Sequence, residues 1–188
     1  MAMGRNVSCG TRGKPCPASA GIRLGCRQRA HILADVSIWA FEATVDELNA
    51  MSSGSLIATL GIEVTEITAA SLKGRMPVDA RTTQPAGVLH GGASVALAET
   101  LASWAGYLTV DRARFHVVGQ EINANHIRPV SPGAWVFAEV TPAAIGRRSH
   151  VWEVRITNEA GKLVCISRCT LAVIEMESSY APEDRRGS

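Results

Sequence analysis

The chain has no acidic side chain before Asp35, and no apolar run that is both leucine-rich and free of charge. The first absence splits the molecule. Six basic residues (Arg5, Arg12, Lys14, Arg23, Arg27, Arg29) lie in Met1–Ala34; of the 19 basic and 17 acidic residues in all, 13 and 17 remain beyond it, a net of −4. A mildly acidic body excludes the basic surface that a nucleic-acid partner requires. No apolar segment follows the early basic residues, so a secretory signal peptide is not expected; serine is scarce and amphipathicity weak, so an organelle transit peptide is the lesser reading. Residues 1–36 therefore read as a disordered or non-native N-terminal extension, 37–175 as one folded domain, and 176–188 as a disordered tail.

Cysteine is also sparse. Cys9, Cys16 and Cys26 stand at irregular spacing that makes neither a zinc site nor a disulfide framework. Cys165 and Cys169 share a strand and read as reduced, structural residues in a cytoplasmic setting. His31, His116 and His150 have no metal-ligand spacing with a carboxylate or cysteine, so no metal and no cofactor is expected. No serine sits in a nucleophile elbow, which excludes an α/β-hydrolase. Trp104, Trp135 and Trp152 read as core or interface packing rather than a base-stacking platform. The run Gly91–Val110 is apolar, but alanine, glycine and serine dominate it and Glu99 sits at its centre. A carboxylate at mid-span is costly in lipid, so this is a buried central helix and no membrane partner is expected.

Around that helix the sequence reads as follows. Thr44 caps a short helix to Met51, with Glu47 placed for a capping box. Leu56–Ile67 and Ser71–Val78 alternate as two strands. Thr82–Leu89 is a loop, and the long helix runs from about Gly91 to Leu108. Four strands follow at Phe115–Arg128, Ala134–Ala144, His150–Thr157 and Leu163–Ile174, separated by turns rich in Pro, Gly and Asn. Strands around a single helix make an α+β fold, an antiparallel sheet wrapped around one long central helix.

The chemistry concentrates on that helix. Glu99 is the only acidic or strongly basic side chain between Thr82 and Val110. A buried carboxylate has to be paired, protonated or functional, and desolvation makes it a better base near neutral pH. An isolated helical Glu more often faces solvent; here the neighbours argue otherwise. Ser103, four residues on, shares its face. His90-Gly91-Gly92 opens the helix, where free N–H groups suit the developing charge of acyl transfer, although a glycine turn can also serve packing alone. Eight residues separate Gly91 from Glu99, about 12 Å along a helix. If both act on one carbonyl, the acid must come from a second subunit across a two-fold axis.

Three separated segments resemble the hotdog-fold acyl-CoA thioesterases: Met76–Glu99, containing Gln84 and Leu89-His90-Gly91-Gly92; Val118–Arg128; and Gly146–Trp152. The nearest branch holds the dihydroxynaphthoyl-CoA thioesterase of menaquinone synthesis and the proofreading thioesterase of enterobactin synthesis. The resemblance covers about residues 38–174 and implies a single hotdog fold hydrolysing aryl- or enoyl-type acyl-CoA, with 1,4-dihydroxy-2-naphthoyl-CoA as one such substrate. It implies that Glu99 is nucleophile or general base, that the Gly91 N–H polarises the thioester carbonyl, and that Gln84 binds near it or orients water. His90 would position the thioester and Ser103 would support Glu99. His126, Thr100 and Gly119 would contact the acyl group, while Arg128, Arg147 and Arg148 are candidates for the phosphates of coenzyme A. Thr100 stands where relatives often have Ser, and Ala86 replaces a bulkier residue. The implied assembly is a homodimer with shared sites, paired into a homotetramer. A non-catalytic acyl-CoA-binding hotdog protein and a hotdog hydroxyacyl-CoA dehydratase are the alternatives. A mid-helix carboxylate fits them less well, and no added DNA-binding domain accompanies it.

Overall fold

The computed structural model describes residues 37–176; the expected extension over 1–36 and nearly all of the expected tail lie outside them. Thr44 starts α1 (Val45–Met51) by accepting from the Glu47 N–H, and the Glu47 carboxylate accepts from the Thr44 N–H at 2.8 Å, so the expected capping box is formed.

One expectation fails next. Leu56–Ile67 is not one strand: Leu56–Leu60 forms a second short helix, α2, and only Glu63–Ile67 is strand, β1. The cause is local. The Ser55 side chain accepts from the Ile57 N–H at one end, and Gly61 at φ 68° closes the other in a left-handed turn open to glycine. The chain then runs through β2 (Leu72–Pro77), α3 (Gly91–Thr109), β3 (Phe115–His126), β4 (Trp135–Ile145), β5 (Ser149–Asn158) and β6 (Leu163–Glu175). All neighbouring strands are antiparallel in the order β1-β2-β4-β5-β6-β3. The expected α+β architecture, one sheet about one long helix, is the architecture found.

Alternation along the strands decides which face meets α3. Leu72 and Met76 on β2, Val136 and Val140 on β4, Trp152, Val154 and Ile156 on β5, and Cys169 and Leu171 on β6 are buried against Leu97, Leu101 and Leu108 of the helix. Each such large side chain contributes about 1.5–3 kcal/mol by leaving water. The helix seats deeply because alanine, serine and glycine alternate with its three buried leucines. A Cβ at Gly106 would lie 2.4 Å from Leu171 Cδ1, and one at Gly74 on β2 would lie 2.8 Å from Leu101 Cδ2. That depth fixes both the helix start and its middle against the sheet. Among the described residues no helix is long and apolar enough to cross a membrane, and no group of His, Cys, Asp and Glu is placed to hold a metal ion.

Candidate active site

The residues singled out in the sequence fall into two cavities spaced along α3. The first lies at the helix start, a space of about 280 Å³ lined by Gln84, Leu89, Gly91, Ser94, His126, Arg128 and neighbours. Its shape is set by backbone. Gly87, at φ 74°, lets its N–H return to the Gln84 carbonyl at 2.8 Å, the Gln84 N–H reaches the Val88 carbonyl at 2.9 Å, and Thr83 bridges to Leu89. Buried Thr82 then ties this loop to the helix: its hydroxyl donates to the Pro77 carbonyl at 2.8 Å and accepts from the Asp79 N–H, while its carbonyl accepts from the His90 N–H. Sequence reading passed over Thr82 because a lone threonine in a loop carries no spacing signal.

His90 is the N-cap. Its Nδ1 accepts from the Gly92 N–H at 2.8 Å and is therefore the unprotonated ring nitrogen. The Ala93 and Ser94 N–H groups return to the His90 carbonyl. The Gly91 N–H, first in the helix, has no acceptor among the described residues. A Cβ at Gly91 would stand 2.8 Å from His126 Nε2, so a larger residue there would push that ring aside. His126, last residue of β3, is exposed, and Arg128 beside it donates to the Leu163 carbonyl. Gln84, Gly91, His126 and Arg128 are thus brought together; His90 holds the turn from behind and does not line the cavity.

The second cavity, about 540 Å³, opens over the middle of α3. Glu99, Thr100 and Ser103 share it with Leu56, Ile57 and Leu60 of α2 and with Trp104, Tyr107, Phe115, His116 and Val117. Trp104 packs edge-on to Tyr107 with ring centroids 5.5 Å apart. The α2 wall was missed because its residues were read as a strand, and Trp104 was read as packing alone. Its indole N–H is buried without a partner among the described residues.

Glu99 corrects a central expectation: in the single chain it is exposed, not buried. It stands where α3 passes β3, and a Cβ at Gly119 would be 2.9 Å from Glu99 Oε1. Gly119 therefore leaves room for the carboxylate, at a strand irregularity between Gly119 and Glu121. Between sheet and helix, burial and then the charges of Glu99 and Glu121 push the Cys169 thiol up to about 11, so it is no nucleophile at neutral pH. Arg147 and Arg148 join neither cavity; with Arg114 and Glu175 they line a separate hollow at the opposite end of β3 from His126.

Both cavities lie on α3, and β3 lies at the sheet edge with Glu99 beside its Gly119 and Gly91 beside its His126. A free helix-start N–H, a glutamine and a histidine form a corner able to polarise a carbonyl, and a carboxylate flanked by an apolar hollow can act on an acyl carbon.

Comparison with known proteins gives this arrangement a context. Residues 86–165 match the family model described as the thioesterase superfamily. The chain is 48% identical over 136 residues to the proofreading thioesterase EntH of Klebsiella pneumoniae, covering 72% of this chain and 98% of that protein. It is 45% identical over 137 residues to the 1,4-dihydroxy-2-naphthoyl-CoA hydrolase of Escherichia coli, covering 73% and 99%. A thioesterase crystal structure from Pseudomonas aeruginosa superposes with a TM-score of 0.73 at 44% identity, over 74% of this chain and all of that one. One from Haemophilus influenzae gives 0.73 at 46%, over 77% and 99%.

Proposed function

The chain belongs to the thioesterase superfamily and is a thioester hydrolase, and on that premise we propose that it cleaves aryl-type acyl-CoA thioesters in the cytoplasm, with Glu99 as the reacting carboxylate. The observation that carries the reading is the division of the candidate groups into two cavities, each lacking what the other holds. The Gly91 N–H donates to the thioester oxygen, Gln84 and His126 lie beside the carbonyl and its acyl group, and Arg128 borders the path by which coenzyme A leaves. Glu99 attacks the carbonyl carbon or takes a proton from the water that does, with Ser103 and Thr100 on its face of the helix. Collapse of the tetrahedral intermediate breaks the C–S bond, and the thiolate departs and is protonated; where Glu99 itself attacks, water then hydrolyses the mixed anhydride, releasing the acid and restoring the carboxylate.

Glu99 and Gly91 of one chain are about 12 Å apart along the helix, so the acid that meets this carbonyl comes from the partner subunit. Edge strand β3 supplies the joint. Laying its Gly119 opposite the partner subunit's His126, antiparallel, brings Glu99 to the partner subunit's Gly91 and puts the two-fold axis near Ile122 and Asn123. The same joint covers Glu99, which the single chain leaves open to water. Pairing of two such dimers into a tetramer belongs to this reading.

An aryl acyl group is favoured by the second cavity, where apolar α2 residues face the Trp104–Tyr107 pair. The relative named for 1,4-dihydroxy-2-naphthoyl-CoA acts on such a group, and that thioester is one proposed substrate here. The test is free-thiol release over a panel of aryl-, aliphatic- and hydroxyacyl-CoAs, wild type against Glu99→Gln. The expected result is fastest turnover of aryl thioesters and a kcat at least roughly a hundredfold lower in the variant. Undiminished turnover by Glu99→Gln removes the acid from the mechanism.

A further inference from the structure

Ser94 is an unassigned polar group in the first cavity. It is 1% exposed, yet it lines the same space as Gln84, Gly91 and His126. Its N–H is spent on the His90 carbonyl at 3.3 Å, but its hydroxyl has no hydrogen-bond partner among the described residues. The hydroxyl is not among the enclosed, unpaired side-chain atoms of the described residues, so it opens onto the cavity that the residue lines. In a helix the simplest partner for a serine is the carbonyl one turn back; Ser52 of this chain takes it, reaching the Leu48 carbonyl at 3.1 Å. Ser94 does not.

Direction follows from helix geometry. Ser94 is three residues after Gly91, on nearly the same face, and a helical Cβ leans toward the N-terminus. Its side chain therefore rises over the first turn, where the Gly91 N–H points. Of the neighbouring donors, the Gly92 N–H is taken by His90 Nδ1 and the Ala93 N–H by the His90 carbonyl. The Gly91 N–H and the Ser94 O–H are the two left free at the helix start.

We propose that the Ser94 hydroxyl is a further donor to the thioester oxygen, joining the Gly91 N–H, with Gln84 beside them, to hold the oxyanion of the tetrahedral intermediate. This deepens the hydrolysis reading and rests on it. No proton changes hands at Ser94. It donates one hydrogen bond that shortens as the carbonyl oxygen gains charge and relaxes as the C–S bond breaks, so its contribution falls on the chemical step rather than on substrate binding.

Benzoyl-CoA serves as the probe, with the full chain and steady-state thiol release. Ser94→Ala removes the donor, and Ser94→Cys keeps nearly the same volume with a much weaker donor, which separates donation from packing. Both variants are expected to melt close to wild type and to lose about tenfold to a hundredfold in kcat, with KM within about twofold, below the full loss of a backbone donor. A cysteine variant as fast as wild type overturns the assignment, as does a loss confined to KM. A wild type that releases no thiol from any thioester of the panel sinks the hydrolysis reading itself and takes this assignment with it. That failure shows before any Ser94 variant is made.

Discussion

The two ends of the candidate machinery are built on opposite plans. The helix start is wired: Thr82, the Gln84–Gly87 turn and the His90 cap fix it through backbone hydrogen bonds that one chain makes alone. The region around Glu99 is open: an exposed carboxylate, a five-residue helix with no buried residue, and Leu56 left 64% exposed in the cavity wall. A group that must bind an oxygen in a fixed direction benefits from rigidity before substrate arrives. A carboxylate that completes its surroundings only against a second chain needs none of that wiring. The difference teaches that the single chain finishes the electrophilic half of its chemistry and leaves the other half to assembly.

Three perturbations sharpen that contrast. The largest effect is expected from Gly119→Val, which drives a side chain into the space of the Glu99 carboxylate. Displacement of about 1 Å is enough to lower kcat by roughly a hundredfold, while melting temperature moves little because the open region adds little to the fold. Measured turnover near wild type would mean that the carboxylate position over β3 does not matter.

Thr82→Val acts on the wired end. It removes a buried hydroxyl that satisfies the Pro77 carbonyl and the Asp79 N–H, and urea unfolding should show about 1–3 kcal/mol of lost stability. If the variant unfolds at the same urea concentration as wild type, the wiring is ornamental.

The smallest effect belongs to neither end. His150 is 2% exposed, and burial pushes its pKa below the ordinary 6.5 against the smaller opposing pull of the Gly146 backbone. The unfolded chain therefore takes up this proton more readily than the folded one. The stability from keeping it neutral is present above about pH 6.5 and is lost as pH falls from there toward the lower folded value. His150→Leu should flatten that part of a melting-temperature profile between pH 7 and 5. A wild-type profile already flat over that range contradicts it.

Much of this was legible in the sequence, and the failures have physical causes. The Thr44–Glu47 capping box, the long helix and the last four strands were readable because each is a local pattern: a cap spacing, a period of 2, a turn between. The helix α2 was not, since five residues are barely more than one turn and Ile57, Ile62 and Val64 mimic alternation; Ser55 and Gly61, a cap and a left-handed stop, were the signals available. The resemblance named Gln84, Gly91, His126 and Arg128 for different parts of the substrate without placing them in one cavity, and Arg147 and Arg148 joined neither cavity because a turn's place in space depends on the whole sheet. Exposure of Glu99 was misjudged for a different reason. Apolar residues on several faces of a helix say that the faces are covered, and they do not say whether the cover is the chain's own sheet or another copy.

The most direct measurement is complementation between two disabled chains. Glu99→Gln and Gln84→Ala, each inactive alone, are co-expressed and assayed for thiol release from the best aryl-CoA. If each site takes its acid from one subunit and its carbonyl corner from the other, mixed dimers regain one intact site, about a quarter of wild-type activity at random assortment. Mixed dimers isolated in quantity with no more activity than the parents would mean that each chain works alone, and the account would be wrong at its centre.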